Sequence, residues 1–337
     1  MAEPSVSEAA RMILPLLEGF PAPDTAARSA VMDRAADVLR PAGALRRLDE
    51  LAGWLAGWQR TDQPRVEEPV ALLFAADHGV AEEGVSAYPA DVTAAMVKAL
   101  DAEVATASAL ARATGTHIRV VDVGVGVPTA NLARGPALDL PAFLTCLEAG
   151  REAVRDARAD LLALGEMGIG NTTAAGTLCA LLFDEPADRW TGRGTGLDDE
   201  GLRRKVEVVE RARTRARGAD PAEALRQVGG SEITALAGAI LEARHLGIPV
   251  ILDGFVVTAA VLPLARMASD ALAHCVAGHR SDEAGHAELL RRLGLEPVLD
   301  LGLRLGEASG ALLAIPILRM ACAAVTEVAT FEEWGLR

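Results

Sequence analysis

Near the N-terminus, apolar residues recur three or four positions apart, which is the spacing of a buried helix face. This pattern predicts helices over residues 10–17, 25–39 and 45–55, and Asp24 is expected to cap the second of them. Further along the chain, Ser231 is expected to cap a helix that starts after Gly229 and Gly230. The run Pro21-Ala22-Pro23 separates the first two. The chain therefore opens with a helical segment.

Beyond residue 68 the pattern changes to short apolar runs separated by helical stretches. Five of these runs predict strands, over residues 70–76, 117–121, 161–164, 250–252 and 298–305. Strands that alternate with helices form parallel sheets with both faces covered. The sequence therefore predicts an α/β fold with a mostly parallel sheet and helices on both faces.

An acidic residue stands at or just after the end of each predicted strand. These acids are Asp77, Asp122, Glu166, Asp253 and Glu307. Because ligands of open parallel sheets bind outside the carboxyl ends of the strands, the acids are expected to gather at one edge. At least two of them are expected to cap helices or tie down loops instead.

The stretch Gly-Glu-Met-Gly-Ile-Gly-Asn-Thr-Thr at residues 165–173 lies between a predicted strand and a predicted helix. Its glycines allow close approach of a ligand, and Asn171, Thr172 or Thr173 can cap a helix whose N–H groups face an anion. The stretch lacks the lysine of a nucleotide-triphosphate loop, which argues against a kinase or NTPase. An ordinary strand-to-helix connection remains the alternative.

A second glycine-rich loop, Thr-Gly-Arg-Gly-Thr-Gly at residues 191–196, predicts another anion nest. Lys205 follows on the first turns of the next helix, where it either faces solvent or reaches that nest. A third loop, from Asp77 to Pro89, is polar and carries the only tyrosine, Tyr88, so it suits the wall of a binding pocket. His78 in this loop is more typical of a hydrogen-bonded structural residue than of a base.

Glu307 lies at a predicted strand-to-helix corner, between Leu305 and small residues. Apolar surroundings raise the pKa of a carboxyl group towards neutrality, which suits a general base. A first-turn helix acid, stabilised by the helix dipole, would have the same spacing. The pattern alone leaves both interpretations open.

Composition narrows the choice of function. Half of the residues are hydrophobic but only 3% are aromatic, so the core is built from Ala, Leu and Val. The formal charge of -14 argues against a nucleic-acid surface or an anionic membrane as partner. The four cysteines and six histidines show no metal-binding spacing, and no metal or cofactor is expected. With no signal-peptide pattern at the N-terminus, a cytoplasmic protein is expected.

Six segments together resemble one family, the nicotinate-nucleotide–dimethylbenzimidazole phosphoribosyltransferases of cobalamin synthesis. They occur in the order of the family and cover the chain from about residue 40 to its end. The matching segments lie at residues 76–86, 165–173, 192–198, 253–255, 279–281 and 303–310.

The resemblance implies transfer of ribose 5-phosphate from nicotinate mononucleotide to 5,6-dimethylbenzimidazole. It implies that Glu307 is the catalytic base and that Lys205 binds the donor. The remaining donor residues would be Glu166, Met167, Gly168, Ile169, Gly170, Asn171, Thr172, Gly194, Thr195 and Gly196, and the acceptor base would pack against Tyr88, Met96, Met167 and Leu305.

The resemblance also implies a Rossmann-like large domain over residues 66–305, a small helical domain from residues 1–60 and 306–337, and a homodimer. The sequence departs from the family pattern at Arg40, Met96 and Val257, where lysine, glutamine in some members, and serine are usual. Because methionine cannot make the polar contact of an amide, the acceptor base stays open. The alternatives are a paralogue with another aromatic acceptor and a non-catalytic nucleotide-binding subunit.

Overall fold

A parallel sheet runs through the centre of the protein. The computed structural model describes residues 6–336, and within this part of the chain six strands form one sheet in the order β2-β1-β3-β4-β5-β6. Every neighbouring pair is parallel. The strands are β1 (Pro69–Ala75), β2 (His117–Asp122), β3 (Leu161–Met167), β4 (Val250–Leu252), β5 (Cys275–Ser281) and β6 (Pro297–Leu303).

Helices cover both faces of this sheet, as predicted. In β1, Leu72 and Phe74 face one apolar cluster while Ala71 and Leu73 face the other, as the twofold periodicity of a strand requires. The α-helices are α1 (Glu8–Ile13), α2 (Thr25–Asp37), α3 (Arg46–Gln59), α4 (Val92–Asp101), α5 (Thr106–Thr114), α6 (Leu140–Ala157), α7 (Asn171–Leu182), α8 (Asp199–Arg215), α9 (Pro221–Ala224), α10 (Ser231–Leu246), α11 (Phe255–Met267), α12 (His286–Leu293) and α13 (Ser309–Thr326).

The two ends of the chain contribute to both clusters. Helix α1 packs in the first cluster, whereas α2, α3 and α13 pack in the second against β1, β3 and β4. Of the described helices, α13 alone is long and apolar enough to cross a membrane, yet ten of its residues are buried in the protein core. The division into two domains at the stated boundaries stays a prediction.

All five predicted strands are present, but several of them end at different residues, and the sheet has a sixth strand, β5. Strand β3 continues to Met167, so Gly165 and Glu166 belong to the strand and pair with β1 rather than opening the turn. Strand β6 ends at Leu303 instead of Leu305. Strand β5 was missed because Gly278 interrupts its apolar pattern. A Cβ on Gly278 would lie 2.9 Å from Ala311 Cα, so glycine permits α13 to pack closely here.

Three predictions of helix caps had different outcomes. The Asp24 side chain accepts hydrogen bonds from the N–H groups of Ala26 and Ala27 and caps α2, as predicted. The prediction for α7 was wrong, because Asn171 is already its first residue and Gly170, with φ +102°, is the N-cap. Ser231, similarly, is the first residue of α10 and not its cap. At both sites a left-handed glycine reverses the chain where a side-chain cap was expected.

The strand order sets the place of the site. The chain steps from β1 to β2 on one side and then crosses to β3 on the other side of β1. In such doubly wound sheets the ligand crevice forms outside the carboxyl ends of the strands, where the direction of winding reverses. The turn after β3 is therefore at the expected position for a ligand.

Candidate active site

A cavity of about 600 Å³ lies at the carboxyl ends of the strands. Of the residues predicted to form the site, all but Gly196 and Lys205 line it. Glu307 and the glycine turn share its wall. The further lining residues include Ser86, Val92, Thr106, Gly254, Phe255, Val256, His279, Ser281, Glu283, Arg304 and Gly306.

The glycine turn consists of Gly168, Ile169 and Gly170 and leads directly into α7. The backbone N–H of Ile169 donates a 3.2 Å hydrogen bond to the buried Oγ1 of Thr93, which anchors the turn. The N–H groups of Asn171 and Thr173 donate to the carbonyl oxygens of Gly168 and Gly170, so the turn offers an anion chiefly the Thr172 N–H and the positive end of the helix dipole. The turn is thus built as an anion site.

Lys205 lies behind this site, within hydrogen-bonding distance of two of its parts. Its side chain is fully buried, and Nζ donates to Thr172 Oγ1 at 2.8 Å and to the Gly192 carbonyl at 3.1 Å. Burial lowers the pKa of Lys205 to about 8, against the opposing charge of Glu283. The lysine therefore links the second glycine loop to the start of α7.

In the second glycine loop, Gly194 lines the cavity and has a backbone conformation that favours glycine. Gly194 has φ +51°, and a Cβ there would lie 3.0 Å from both Lys205 Nζ and Thr172 Oγ1. Thr195 Oγ1 accepts a 2.9 Å hydrogen bond from Ala87 N and so joins this loop to the loop of Tyr88. Gly196 turns the chain with φ +111° and lies outside the cavity lining, so its contact with a ligand stays a prediction.

Two carboxylates enter the cavity from adjacent backbone segments. The N–H of Glu307 donates to the carbonyl oxygen of Glu166 at 3.2 Å, and Asn171 Nδ2 donates to Glu166 Oε2. Burial raises the pKa of Glu166 to about 8, with the charges of Asp253, Glu232 and Glu307 adding to the rise. Glu166 is therefore mainly protonated at neutral pH, which limits repulsion between the acids.

Glu307 occupies a left-handed conformation, with φ +57°, just before α13. Its side chain is buried, and within residues 6–336 its Oε2 has no hydrogen-bond partner. Burial raises the pKa of Glu307, and the charge of Asp253 raises it further. Because Glu307 precedes the N-cap Ala308 and α13 has no acid in its first turn, the geometry favours the general-base interpretation over a helix acid. A carboxylate with a raised pKa is a stronger base than an exposed one.

The acids at the ends of the strands divide as expected. Glu166, Asp253 and Glu307 are close enough to influence one another's charge, with Asp253 accepting hydrogen bonds from Gly310 N (2.7 Å) and Ala311 N at the start of α13. The other two acids tie down loops. Asp77 accepts from Gly126 N, and Asp122 accepts from Gly124 N and Val125 N.

Sequence reasoning missed the partner of His78. His78 Nε2 lies 2.6 Å from Glu232 Oε1, and both side chains are buried. A Cβ on Gly168 would lie 3.2 Å from Glu232 Oε1 and 3.3 Å from His78 Cδ2. The pair therefore supports the glycine turn from behind, and His78 is structural, as expected. Glu232 lies in the first turn of α10, and nothing in the sequence around it predicts this contact.

The proposed acceptor side of the cavity is apolar and partly open. Met96 and Met167 are partly buried, whereas Tyr88 is 56% exposed and Leu305 is 51% exposed. Thr106 adds one hydroxyl group to this part of the lining. Such a slot suits a flat aromatic ring with few polar contacts.

Of the three departures from the family pattern, one lines the cavity. Met96 lies in the wall. Arg40 instead forms a buried ion pair with Asp49 and donates to the Ala324 carbonyl at 2.9 Å. Val257 is fully buried in α11 and outside the lining. Only Met96 is therefore placed to alter the choice of acceptor.

The doubly wound fold and the anion-binding turn at its switch point define a class of proteins that bind phosphorylated small molecules. Comparisons with known proteins identify the family. A family model described as phosphoribosyltransferase matches residues 20–336. The nicotinate-nucleotide–dimethylbenzimidazole phosphoribosyltransferase of Ruegeria pomeroyi is 49% identical over 321 residues, covering 95% of each chain.

The enzyme of the same name from Mesorhizobium japonicum is 48% identical, over 93% of each chain. The crystal structure of CobT from Thermus thermophilus superposes with a TM-score of 0.88 at 43% identity, covering 92% of this chain and 98% of that one. The chain belongs to the nicotinate-nucleotide–dimethylbenzimidazole phosphoribosyltransferase family.

Proposed function

We propose that the protein transfers ribose 5-phosphate from nicotinate mononucleotide to 5,6-dimethylbenzimidazole, giving α-ribazole 5′-phosphate and nicotinate. Relatives of this name match nearly the whole chain. The observation that carries the proposal is the shared cavity, in which Glu307 and the anion-binding turn form parts of one wall.

In this proposal the donor phosphate binds at the turn of Gly168–Gly170 and the start of α7, beside Gly194 and Thr195. Lys205 is held 2.8 Å from Thr172 Oγ1, at the back of this site. A phosphate here would meet helix N–H groups and a nearby ammonium group, the two kinds of donor that bind phosphate in proteins. Its charge would also keep Lys205 protonated.

The chemistry is a displacement at C1′ of the ribose. A ring nitrogen of the benzimidazole forms the new bond to C1′ while the bond to the pyridinium nitrogen of nicotinate breaks. The departing ring takes the bonding electron pair and becomes neutral, so a stable leaving group is produced. Attack from the opposite face converts the β-linkage into an α-linkage.

Positive charge grows on the benzimidazole during this step, which makes its other ring N–H acidic. We propose that the carboxylate of Glu307 accepts this proton. Its raised pKa makes the carboxylate a stronger base than an exposed glutamate. Met96, Met167, Tyr88 and Leu305 would hold the flat base beside it.

An assay of nicotinate release tests the proposal. The purified protein is mixed with nicotinate mononucleotide and, in separate reactions, dimethylbenzimidazole, adenine or a phenol, and the riboside product is analysed. Release with dimethylbenzimidazole and formation of an α-riboside are expected. Release with another acceptor alone would support the paralogue, and donor binding without release would support a non-catalytic subunit.

We also propose a cytoplasmic homodimer. The four cysteines are free and buried, as is typical of proteins in reducing compartments. Leu301 and Leu305 are 61% and 51% exposed on and after the edge strand β6, which leaves apolar surface for a partner subunit. Light scattering at several protein concentrations measures the oligomeric state.

A further inference from the structure

An unusual acid lies among the groups that are placed to bind phosphate. Glu283 lines the same cavity as the glycine turn, and its Oε2 would be 2.5 Å from a Cβ on Gly192. The carbonyl of Gly192 accepts the hydrogen bond from Lys205. The charge of Glu283 also acts on Lys205. A carboxylate at this place repels a phosphate group, so it is expected to bind another part of the ligand.

The loop that carries Glu283 is held in place by buried contacts. Glu283 N donates to Ser281 Oγ at 3.1 Å, and Ser281 N donates to His286 Nδ1 at 2.9 Å. Burial lowers the pKa of His286 to about 3, so the ring is neutral and its Nε2–H can donate to Thr258 Oγ1, 3.0 Å away. The backbone at Glu283 is therefore fixed before a ligand arrives.

The side-chain oxygens of Glu283, by contrast, are available. Across the described chain, they make no hydrogen bond and no ion pair within 4.0 Å. An ionised carboxylate only accepts hydrogen bonds, so its ligand must supply donors. With its phosphate ionised, nicotinate mononucleotide has two such groups, the 2′ and 3′ hydroxyls of the ribose.

We propose that Glu283 accepts a hydrogen bond from the 2′ hydroxyl of the donor ribose and selects ribosyl over 2′-deoxyribosyl nucleotides. This inference rests on the proposed function. Its position beside Gly192 and Lys205 places Glu283 with the groups that are proposed to bind the donor. A carboxylate that binds a ribose hydroxyl in this way is a recurring feature of nucleotide-binding α/β folds.

The test compares two enzymes with two donors. Wild type and Glu283→Gln are assayed with nicotinate mononucleotide and with its 2′-deoxy analogue, using dimethylbenzimidazole as acceptor. A hydrogen bond to a charged group predicts that the variant loses about 10- to 100-fold in kcat/KM with the ribosyl donor. With the deoxy donor the loss should stay below about threefold, because the bond is already absent.

Asp282, the exposed acid next to Glu283, provides the matched control. Asp282→Asn should leave kcat/KM unchanged with both donors. Glu283→Asp keeps the charge with a shorter reach and should lose less than Glu283→Gln. Equal losses with both donors would overturn the inference. So would a decline of kcat/KM at alkaline pH that shifts equally with both donors, because Glu283 would then act through the charge of Lys205. Failure of wild type to release nicotinate from the ribosyl donor would refute the proposed function itself.

Discussion

The backbone N–H of Glu307 donates a 3.2 Å hydrogen bond to the carbonyl oxygen of Glu166. This bond joins the connection after β6 to the end of β3, although the two residues are far apart in the sequence. Gly306 supports the approach, because a Cβ there would lie 2.8 Å from Glu166 Oε1. The proposed base is therefore positioned by the strand that leads into the anion-binding turn.

Glu307→Gln should abolish most of the activity and leave the fold intact. The amide keeps the size of the side chain but cannot accept the proton, so kcat should fall ~10²–10⁴-fold. Steady-state kinetics and thermal unfolding measure the two effects. Glu327→Gln, at an exposed glutamate beyond α13, is the control. A loss of less than about tenfold would argue against general-base catalysis by this residue.

The activity should depend on the charge of Lys205. With its pKa lowered to about 8, the ammonium group is charged below this pH and neutral above it. Hence kcat/KM for the donor should fall as the pH rises through about 8, and Lys205→Met should lower kcat/KM and remove this alkaline limb.

Lys98, the other lysine of the chain, provides the control for this experiment because it is exposed on α4. Lys98→Met should retain the alkaline limb of wild type. The hypothesis fails if the profile of Lys205→Met keeps the wild-type decline, since another group would then be titrating.

Gly165→Ala should damage both stability and catalysis. A Cβ at this position would lie 2.3 Å from Ala308 N, a backbone atom that cannot move without shifting Glu307. Overpacking of this kind costs about 1–3 kcal/mol of the free energy of unfolding, or more. Gly135→Ala is the matched control, since the described chain places no atom within 4 Å of its Cβ. Denaturant unfolding of both variants should show a loss for Gly165→Ala only.

Met96→Gln should change the choice of acceptor. The amide adds polar groups to the acceptor slot, so activity with adenine should rise relative to dimethylbenzimidazole, by about tenfold for one new hydrogen bond. Competition between the two acceptors, with analysis of both ribosides, measures the ratio. Met320→Gln, at an exposed methionine of α13, should leave it unchanged. An unchanged ratio in Met96→Gln would show that this position does not select the base.

Much of the fold could be predicted from local patterns. The apolar runs of β1, β3 and β4 are short and continuous because these strands are buried on both faces. Strand β5 was not predicted because its residue pattern depends on packing against α13, which is distant in the sequence. Gly278 admits α13, and the buried His279 and Ser281 take positions that an apolar pattern would fill.

The site was predictable in its motifs but not in its supporting contacts. The glycine turn, Lys205 and Glu307 could be singled out because each has a local signature or a family resemblance. Glu232 and Glu283 have no such local signature. Glu232 lies behind the glycine turn and Glu283 lies beside the second glycine loop, and only folding brings them there. Their roles follow from contacts with residues elsewhere in the chain.

The sequence by itself determined the alternation of strands and helices, the two glycine loops and the family, because periodicity and motifs are local properties of the chain. Tertiary structure alone decided that Lys205 is buried and that Glu166 is mainly protonated at neutral pH. The physical reason is that burial and the distances between charges depend on segments brought together by folding. These two quantities set the pKa values, and with them the chemistry of the cavity.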